Sequence, residues 1–331
     1  MGVVVYADDV LLMAPNRAAM QLMLDKCEAY AIKYNIMYST DPDPIKSKSK
    51  CIFVCGTRKN LSKPVPLTLC GQKLPWVSTA THLGHELHES GSMEHDAEIK
   101  KAMFINQSVE IRETFNFASP NEVILALKVY CTSFYGCMLW DLGGEKASQV
   151  FNAWKTAIKL TWRVPRATRT FLLQNTSVPG LTSARCDILA RYAGFARGLI
   201  GSASEEVRVM FNIVSRDIRT TTGSNLAFVQ AASGLDPVYY GSKRIKEEIS
   251  KREIVPIPEN DQWRLLYLSK LLEQRQVSYY LGNADEMNEL SQLIESLCVS
   301  LSYRQALEKY LYPNSMYLIR ARNTLIIIGD F

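Results

Sequence analysis

Two adjacent carboxylates near the start of the chain, Asp8 and Asp9, have surroundings typical of a metal-binding turn. They lie in Tyr6-Ala7-Asp8-Asp9, between apolar runs at residues 3–5 and 10–13. An apolar run, a short acidic turn and a second apolar run predict a β-hairpin with both carboxylates at its tip. Hard divalent cations such as Mg²⁺ prefer oxygen ligands of this kind. The competing interpretation is an ordinary polar hairpin turn, in which Asp is common.

Carboxylates on a rigid turn suit nucleotidyl transfer by the two-metal route. That route needs acidic side chains that hold two cations about 4 Å apart. One cation activates the 3′ hydroxyl of a primer, and the other stabilises the leaving pyrophosphate. In this scheme Asp8 is the direct ligand and Asp9 a weaker or supporting one. Ala7 has a small side chain, so the end of a primer could approach closely.

The elements after this turn must hold it in place. Asn16 can cap a helix, because its side chain can accept from free N–H groups and apolar residues then recur at helical spacing over residues 20–34. A lysine-rich loop at residues 46–50 precedes a short strand at 51–55. Residues 67–77, which contain Gly71, predict a further hairpin. A small β-sheet backed by one helix is therefore expected here.

From about residue 94 the apolar spacing becomes helical, and the predicted fold class is α+β. Helices are expected at 94–115, 120–140, 146–162, 182–200, 204–218, 242–253, 261–281, 284–298 and 302–311. We divide the chain into residues 1–93 with the small sheet, a helical region at 94–200, and a helical region of unknown role at 201–331.

Composition and charge narrow the class of protein. The 331 residues are 47% hydrophobic and 21% charged, as in a folded protein rather than a disordered one. The net charge of +5 is modest, but its distribution is uneven. Residues 151–200 contain a single acid, Asp187, and eight basic residues: Lys155, Lys159, Arg163, Arg166, Arg169, Arg185, Arg191 and Arg197. This excess predicts an acidic partner such as nucleic acid.

The compartment and the membrane relationship follow from other features. Eight scattered cysteines without a Cys-x-x-Cys pair indicate reduced thiols. No charged leader is visible at Met1, so we expect an intracellular protein, with nucleus or cytoplasm undetermined. Residues 123–140 are apolar or uncharged except for Lys128, and a central lysine is costly in a bilayer. A buried helix is expected there, without membrane contact.

Several motifs follow one another in a specific order. They are Tyr6-Ala7-Asp8-Asp9-Val10-Leu11-Leu12-Met13-Ala14-Pro15 before an amphipathic helix, Lys48-Ser49-Lys50-Cys51-Ile52-Phe53, His82-Leu83-Gly84-His85, and the segments 130–140 and 154–165. Together they resemble the reverse transcriptases of non-LTR, LINE-like retrotransposons. The resemblance covers roughly residues 2–200, and each motif alone is weak evidence.

The resemblance implies an activity and a set of roles. The family activity is RNA-directed DNA polymerisation with Mg²⁺, on an RNA template and a DNA primer. Residues 1–93 would be a palm remnant and 94–200 a helical thumb. Asp8 and Asp9 would be catalytic metal ligands. Lys50, or Lys48, would protonate the departing pyrophosphate as a general acid. A solvated basic loop that touches phosphate is the alternative for this lysine.

Two further groups have competing interpretations. His82, Leu83 and Gly84 resemble the primer grip, whereas His82 with its neighbours His85, His88 and His95 suggests zinc. Leu83-Gly84 predicts a turn, and no cysteine lies at ligand spacing, so we prefer the primer grip. The residues Lys155, Lys159, Arg163 and Arg166 are spaced by three or four, so they would share one helical face toward an RNA–DNA hybrid, although Pro165 ends that helix. A generic solvated face is the alternative.

The chain also departs from the family. Only five residues precede the acidic motif, whereas the family carries another catalytic aspartate and the fingers upstream. We therefore expect a truncated reverse transcriptase that is inactive alone. A second interpretation is a non-enzymatic, nucleic-acid-binding helical protein derived from the thumb. A third is a chain that completes an active enzyme with an N-terminal half encoded upstream.

Overall fold

The computed structural model describes residues 2–54, 65–164, 166, 168, 170–176 and 180–253, together with 269, 272, 273, 285 and 288. These residues form a mixed α+β protein, which confirms the predicted class. The chain divides into two compact units, Met1–Ile99 and Lys100–Phe331. Residues on both sides of position 200 thus belong to the second unit. The helices predicted at 261–281, 284–298 and 302–311 lie outside the described residues, apart from the few positions named above.

The described residues of the first unit form eight short strands. They are β1 (Gly2–Tyr6), β2 (Asp9–Met13), β3 (Cys51–Ile52), β4 (Thr68–Leu69), β5 (Gln72–Lys73), β6 (Trp76–Val77), β7 (Thr79–His82) and β8 (His85–His88). They pair as β1 with β2, β4 with β5 and β7 with β8, all antiparallel, and as β3 with β6 in parallel. The prediction of a single small sheet is wrong, because the described residues form four separate two-stranded sheets. Strands β3 to β6 are two residues long and offer few backbone groups for a third neighbour.

The predicted hairpin at residues 67–77 is present but shorter. Cys70 and Gly71 both have positive φ, 52° and 71°, and form a two-residue turn that pairs Leu69 with Gln72. This turn places residues 72–73, rather than 74–77, opposite β4. Residues 76–77 pair instead with β3, because Cys51 N–H donates to the Pro75 carbonyl at 3.0 Å.

Helix α1 (Arg17–Tyr34) organises the first unit. The predicted cap is confirmed, because the Asn16 side chain accepts from Ala19 N–H at 2.9 Å. The helix packs on a small core that is formed by Leu24, Leu67, Leu69 and Leu74 and is contacted by Leu12, Met20, Cys27, Tyr38, Cys51 and Trp76. Residues of α1, β2, β3, β4 and β6 therefore share one apolar cluster.

The described residues of the second unit are mainly helical. Its described helices are α2 (Glu94–Thr114, which begins in the first unit), α3 (Pro120–Cys131), α4 (Glu145–Thr161), α5 (Thr170–Gln174), α6 (Ser183–Ile200), α7 (Glu205–Ser215), α8 (Thr221–Ser233) and α9 (Ser242–Arg252), with a short 3-10 helix at Cys137–Leu139. Helix α6 packs most extensively against α9. The aromatic side chains of Phe104, Phe134 and Trp154 meet in the core, and Trp154 Nε1 donates to the Gly180 carbonyl at 2.8 Å.

Three helix predictions need correction, and the first is α5 (Thr170–Gln174), which has no predicted counterpart. The helix expected at 120–140 ends at Cys131, since Phe134 and Gly136 have φ of 34° and 79° and leave the helical region. A helix at 221–233 was not predicted, because its sequence begins with the weak helix formers Thr, Gly, Ser and Asn. Its start is fixed by Thr220, whose hydroxyl accepts from Gly223 N–H at 3.0 Å. None of the described helices combines the length and hydrophobicity needed to cross a bilayer.

Candidate functional site: an acidic hairpin and a basic helical surface

The predicted hairpin around the two carboxylates is present. Tyr6 pairs with Asp9 at the end of the ladder, so Ala7 and Asp8 form a two-residue turn. Ala7 has φ of 53°, in the left-handed region. Asp8 lies in the turn, Asp9 begins β2, and both residues are exposed. The backbone therefore presents two adjacent carboxylates to solvent at a hairpin tip.

This hairpin is attached to its unit through one strand. Leu12 of β2 packs against the core cluster of the first unit. The side chains of β1 are largely uncovered, with Val3 57%, Val5 61% and Tyr6 67% exposed. An apolar strand that is exposed in this way can accept further packing or pairing partners.

Few of the described side chains near the acidic turn could bind a metal ion together with Asp8 and Asp9. No group of three or more His, Cys, Asp or Glu side chains that could hold an ion occurs among the described residues. Asp8 and Asp9 therefore have no third such ligand within that part of the chain, and the set does not fit a complete two-metal centre. The same observation removes support for zinc at His82, His85 and His88, which lie in a hairpin rather than along one helical face.

The lysine-rich loop is ordered by a buried serine. Ser47 Oγ donates to the Ser49 carbonyl at 2.6 Å and accepts from Asp41 N–H at 3.3 Å. Lys50 follows this turn, is exposed, and immediately precedes β3. In the described part of the chain, Lys50 forms no ion pair with either turn carboxylate. The structure thus keeps Lys50 in the same unit as Asp8 and Asp9 but does not join them directly.

The residues predicted as a primer grip form a second tight hairpin. Leu83 and Gly84 have φ of 48° and 77°, and His82 pairs with His85 across the turn. This pattern is a type I′ turn, which favours Asn-Gly over Leu-Gly. The hairpin is linked to the start of α2, because Glu86 N–H donates to Asp96 Oδ1 at 3.1 Å. Asp96 itself is fully buried.

The four basic residues predicted on one helical face are not equivalent. Helix α4 ends at Thr161, and Arg163, with φ of 51°, lies beyond it with Arg166; both arginines are exposed. Lys155 is half-buried on the helix. Lys159 is only 8% exposed, and its Nζ donates to the carbonyls of Arg166 and Thr168 at 3.1 and 2.5 Å. The prediction that all four residues share one solvent-facing helical face is wrong for Lys159, because its ammonium group binds carbonyls of the turn after α4.

A further basic residue, Arg112, lies near Arg166 and was not predicted from the sequence. Burial lowers the pKa of Arg112, Glu113 opposes that shift, and the positive charge of Arg166 adds to it. The last effect places the Arg112 and Arg166 charges within electrostatic range of each other. The residues are 54 positions apart on α2 and the turn after α4, so sequence spacing carries no signal for the pair. We call Arg112, Arg163 and Arg166 the basic surface.

Comparison of the chain with protein-family models, with curated proteins and with solved structures finds no match.

Proposed function

We propose that this chain belongs to the reverse transcriptases of non-LTR retrotransposons, with residues 1–93 as a palm remnant and residues 94–200 as a thumb. The observation that carries the proposal is the pair Asp8 and Asp9 on an exposed two-residue hairpin turn. A metal-dependent nucleotidyl transferase needs acidic ligands held with little freedom to move, and a hairpin tip provides them. The ordered downstream motifs support the same family.

We further propose that the chain by itself binds an RNA–DNA hybrid without extending the primer. The described residues add no third carboxylate, thiolate or imidazole to Asp8 and Asp9. Polymerisation would then require a further acidic strand, supplied by an upstream half of the enzyme. Binding needs only cations that neutralise backbone phosphates, and exposed Arg163 and Arg166 are of that type.

Primer extension tests the catalytic half of the proposal. The purified 331-residue chain is mixed with a DNA primer on a homopolymer RNA template, in Mg²⁺. We expect no extension. Extension that is lost in Asp8→Asn and kept in Asp25→Asn, an exposed control on α1, would show that the chain is active alone. Extension that survives Asp8→Asn would remove the hairpin from the mechanism.

A second candidate function is a non-enzymatic nucleic-acid-binding protein that uses the helical unit alone. The exposed Arg163 and Arg166 favour this second function, because they can bind backbone phosphates without any contribution from the acidic turn. The two functions differ in what they bind: a reverse transcriptase fragment should prefer an RNA–DNA hybrid over duplex DNA. Equal affinity for both duplexes, in the same salt, would favour the non-enzymatic function.

The binding step has its own matched control. Arg163→Ala combined with Arg166→Ala should weaken hybrid binding and reduce the slope of log affinity against log salt by about 2. Arg216→Ala combined with Arg219→Ala removes the same charge from two other exposed arginines and should leave the slope unchanged. Absence of hybrid binding at low salt would contradict both candidate functions.

A further inference from the structure

A cavity of about 480 Å³ opens among helices α3, α6 and α9 of the second unit. Its lining contains Lys128 of α3, Asp187 and Arg191 of α6, and Ser242, Lys243 and Lys246 of α9. None of these residues belongs to the basic surface or to the acidic hairpin. The volume lies in the range of small-ligand pockets, about 300–1,000 Å³, and this pocket is an open cleft.

The cavity is strongly cationic. Four basic side chains face a single carboxylate, which leaves a net charge of +3. Lys246 forms an ion pair with Asp187, so that carboxylate is already used. Arg191 donates to the Thr132 carbonyl at 3.1 Å and to the Ser133 carbonyl, which are neutral groups. Within the described part of the chain, Lys128 and Lys243 form no ion pair.

Lys128 is half-buried at the cavity. Burial lowers the pKa of Lys128; Asp187 opposes this shift, and Lys246 reinforces it. The side chain lies against the Gly180 loop, because a Cβ built on Gly180 would fall 2.5 Å from Lys128 Nζ. A half-buried ammonium that forms no ion pair among the described residues is stabilised by an anion that enters the cavity.

The start of α9 adds backbone donors to the same place. The helix has eleven residues and its cap is Gly241, and within the described part of the chain no side chain caps its first N–H groups. Ser242 and Lys243, its first two residues, line the cavity. Gly194 of α6 permits this close approach, since a Cβ there would lie 2.6 Å from Ser242 Oγ. An uncapped helix start favours anions through its N–H groups and its dipole.

We propose that this cavity is a binding site for phosphate groups, carried either by a compact polyphosphate or by the backbone of a nucleic-acid strand. Lys128 and Lys243 supply cations that form no ion pair among the described residues, and Arg191 supplies a guanidinium already oriented by carbonyls. The α9 N–H groups provide neutral donors. Phosphate matches this set better than a carboxylate, because it offers more acceptor oxygens and a higher charge.

Titration calorimetry of the full chain with sodium tripolyphosphate tests the proposal. We expect saturable one-to-one binding that weakens at least tenfold in Lys128→Gln combined with Lys243→Gln. Lys33→Gln combined with Lys251→Gln removes the same charge at two exposed lysines and should leave the affinity unchanged. No binding by the unmodified chain, or equal weakening by both pairs, would overturn the proposal.

Two additions keep the result interpretable. Lys243→Glu changes only an exposed side chain and should abolish binding even if the Lys128 variant does not fold. A short single-stranded oligonucleotide without terminal phosphate distinguishes the sources: it competes with tripolyphosphate only if the site takes backbone phosphates. The Arg163→Ala and Arg166→Ala chain should bind tripolyphosphate normally, so failure of this site and failure of the proposed function give different results.

Discussion

The ammonium group of Lys159 stabilises the turn that follows α4. It is buried and donates to the carbonyls of Arg166 and Thr168, at 3.1 and 2.5 Å. A charged donor that serves two carbonyls in a low-dielectric place contributes more than a surface lysine, because its loss leaves both acceptors without this partner. Its position in the sequence, one turn after Lys155, gave no indication of this difference.

We predict that Lys159→Met destabilises the chain by about 1.5–3 kcal/mol, the range for hydrogen bonds to charged groups. Lys155→Met, one turn earlier on the same helix and half-buried, should change the free energy of unfolding by less than about 0.5 kcal/mol. Urea unfolding followed by circular dichroism measures both. Equal effects of the two substitutions would show that the turn does not depend on Lys159.

Thiol reactivity should follow burial among the described cysteines. All six are free; Cys131, Cys137 and Cys186 are buried, and Cys70 is exposed. Burial raises the pKa of the Cys186 thiol to about 11, with a smaller contribution from Glu253, so little thiolate forms at pH 8. Among these six we predict that a thiol reagent at pH 8 labels Cys70 first and Cys186 only after denaturation.

Peptide mapping by mass spectrometry reads the order of labelling. Cys70→Ser should remove the earliest labelled peptide of this group and leave the others unchanged. Labelling of Cys186 in the folded chain at the rate of Cys70 would contradict the packing of α6 against α9 around that thiol.

At the scale of single elements, the β7–β8 hairpin carries strain at its turn. Leu83 has φ of 48°, a conformation that is unfavourable for a residue with a bulky side chain and readily accepted by asparagine. We predict that Leu83→Asn stabilises the hairpin by about 0.5–1 kcal/mol, whereas Leu83→Ala does not. Hydrogen exchange of the β7 and β8 amides measures the change. Faster exchange in Leu83→Asn would show that the leucine side chain stabilises the turn by packing.

Elements whose signals are local were predictable from sequence. The hairpin at the acidic motif, the cap at Asn16 and the helix starting at Pro120 all depend on residues adjacent in the chain. The end of α3 was missed, because it depends on left-handed backbone at Phe134 and Gly136 rather than on apolar spacing. Helix α8 was missed since tertiary packing overrides its weak propensity; Asn225, for example, is buried and bonds to Trp140 and Leu142.

The candidate site shows the same division. The turn that holds Asp8 and Asp9 is local and was predicted, as was the turn at Leu83 and Gly84. The role of Lys159 depends on where the chain returns after α4, and the proximity of Arg112 to Arg166 depends on how α2 packs. Neither contact involves residues at a regular spacing in the sequence, so only the folded structure reveals it.

At the scale of the whole molecule, the exposed β1 strand should control solubility. Its outer backbone groups have no neighbouring strand among the described residues, and its valines are open to solvent. We predict concentration-dependent self-association that decreases in Val3→Lys combined with Val5→Lys. Asn121→Lys combined with Asn152→Lys adds the same charge at exposed polar positions and should have little effect. Light scattering across a concentration series measures both; equal reductions would assign the effect to net charge alone.

The exposure of these valines also bears on how the gene is maintained. Replacement of Val3, Val4 or Val5 by a polar residue removes little buried area and costs the folded chain little. Selection for folding alone therefore leaves these three codons free to drift, unlike those of Leu24 and Leu69 in the core. If alleles from a population keep valine at all three positions while silent sites vary, the hairpin is being retained for an interaction outside this chain's own core.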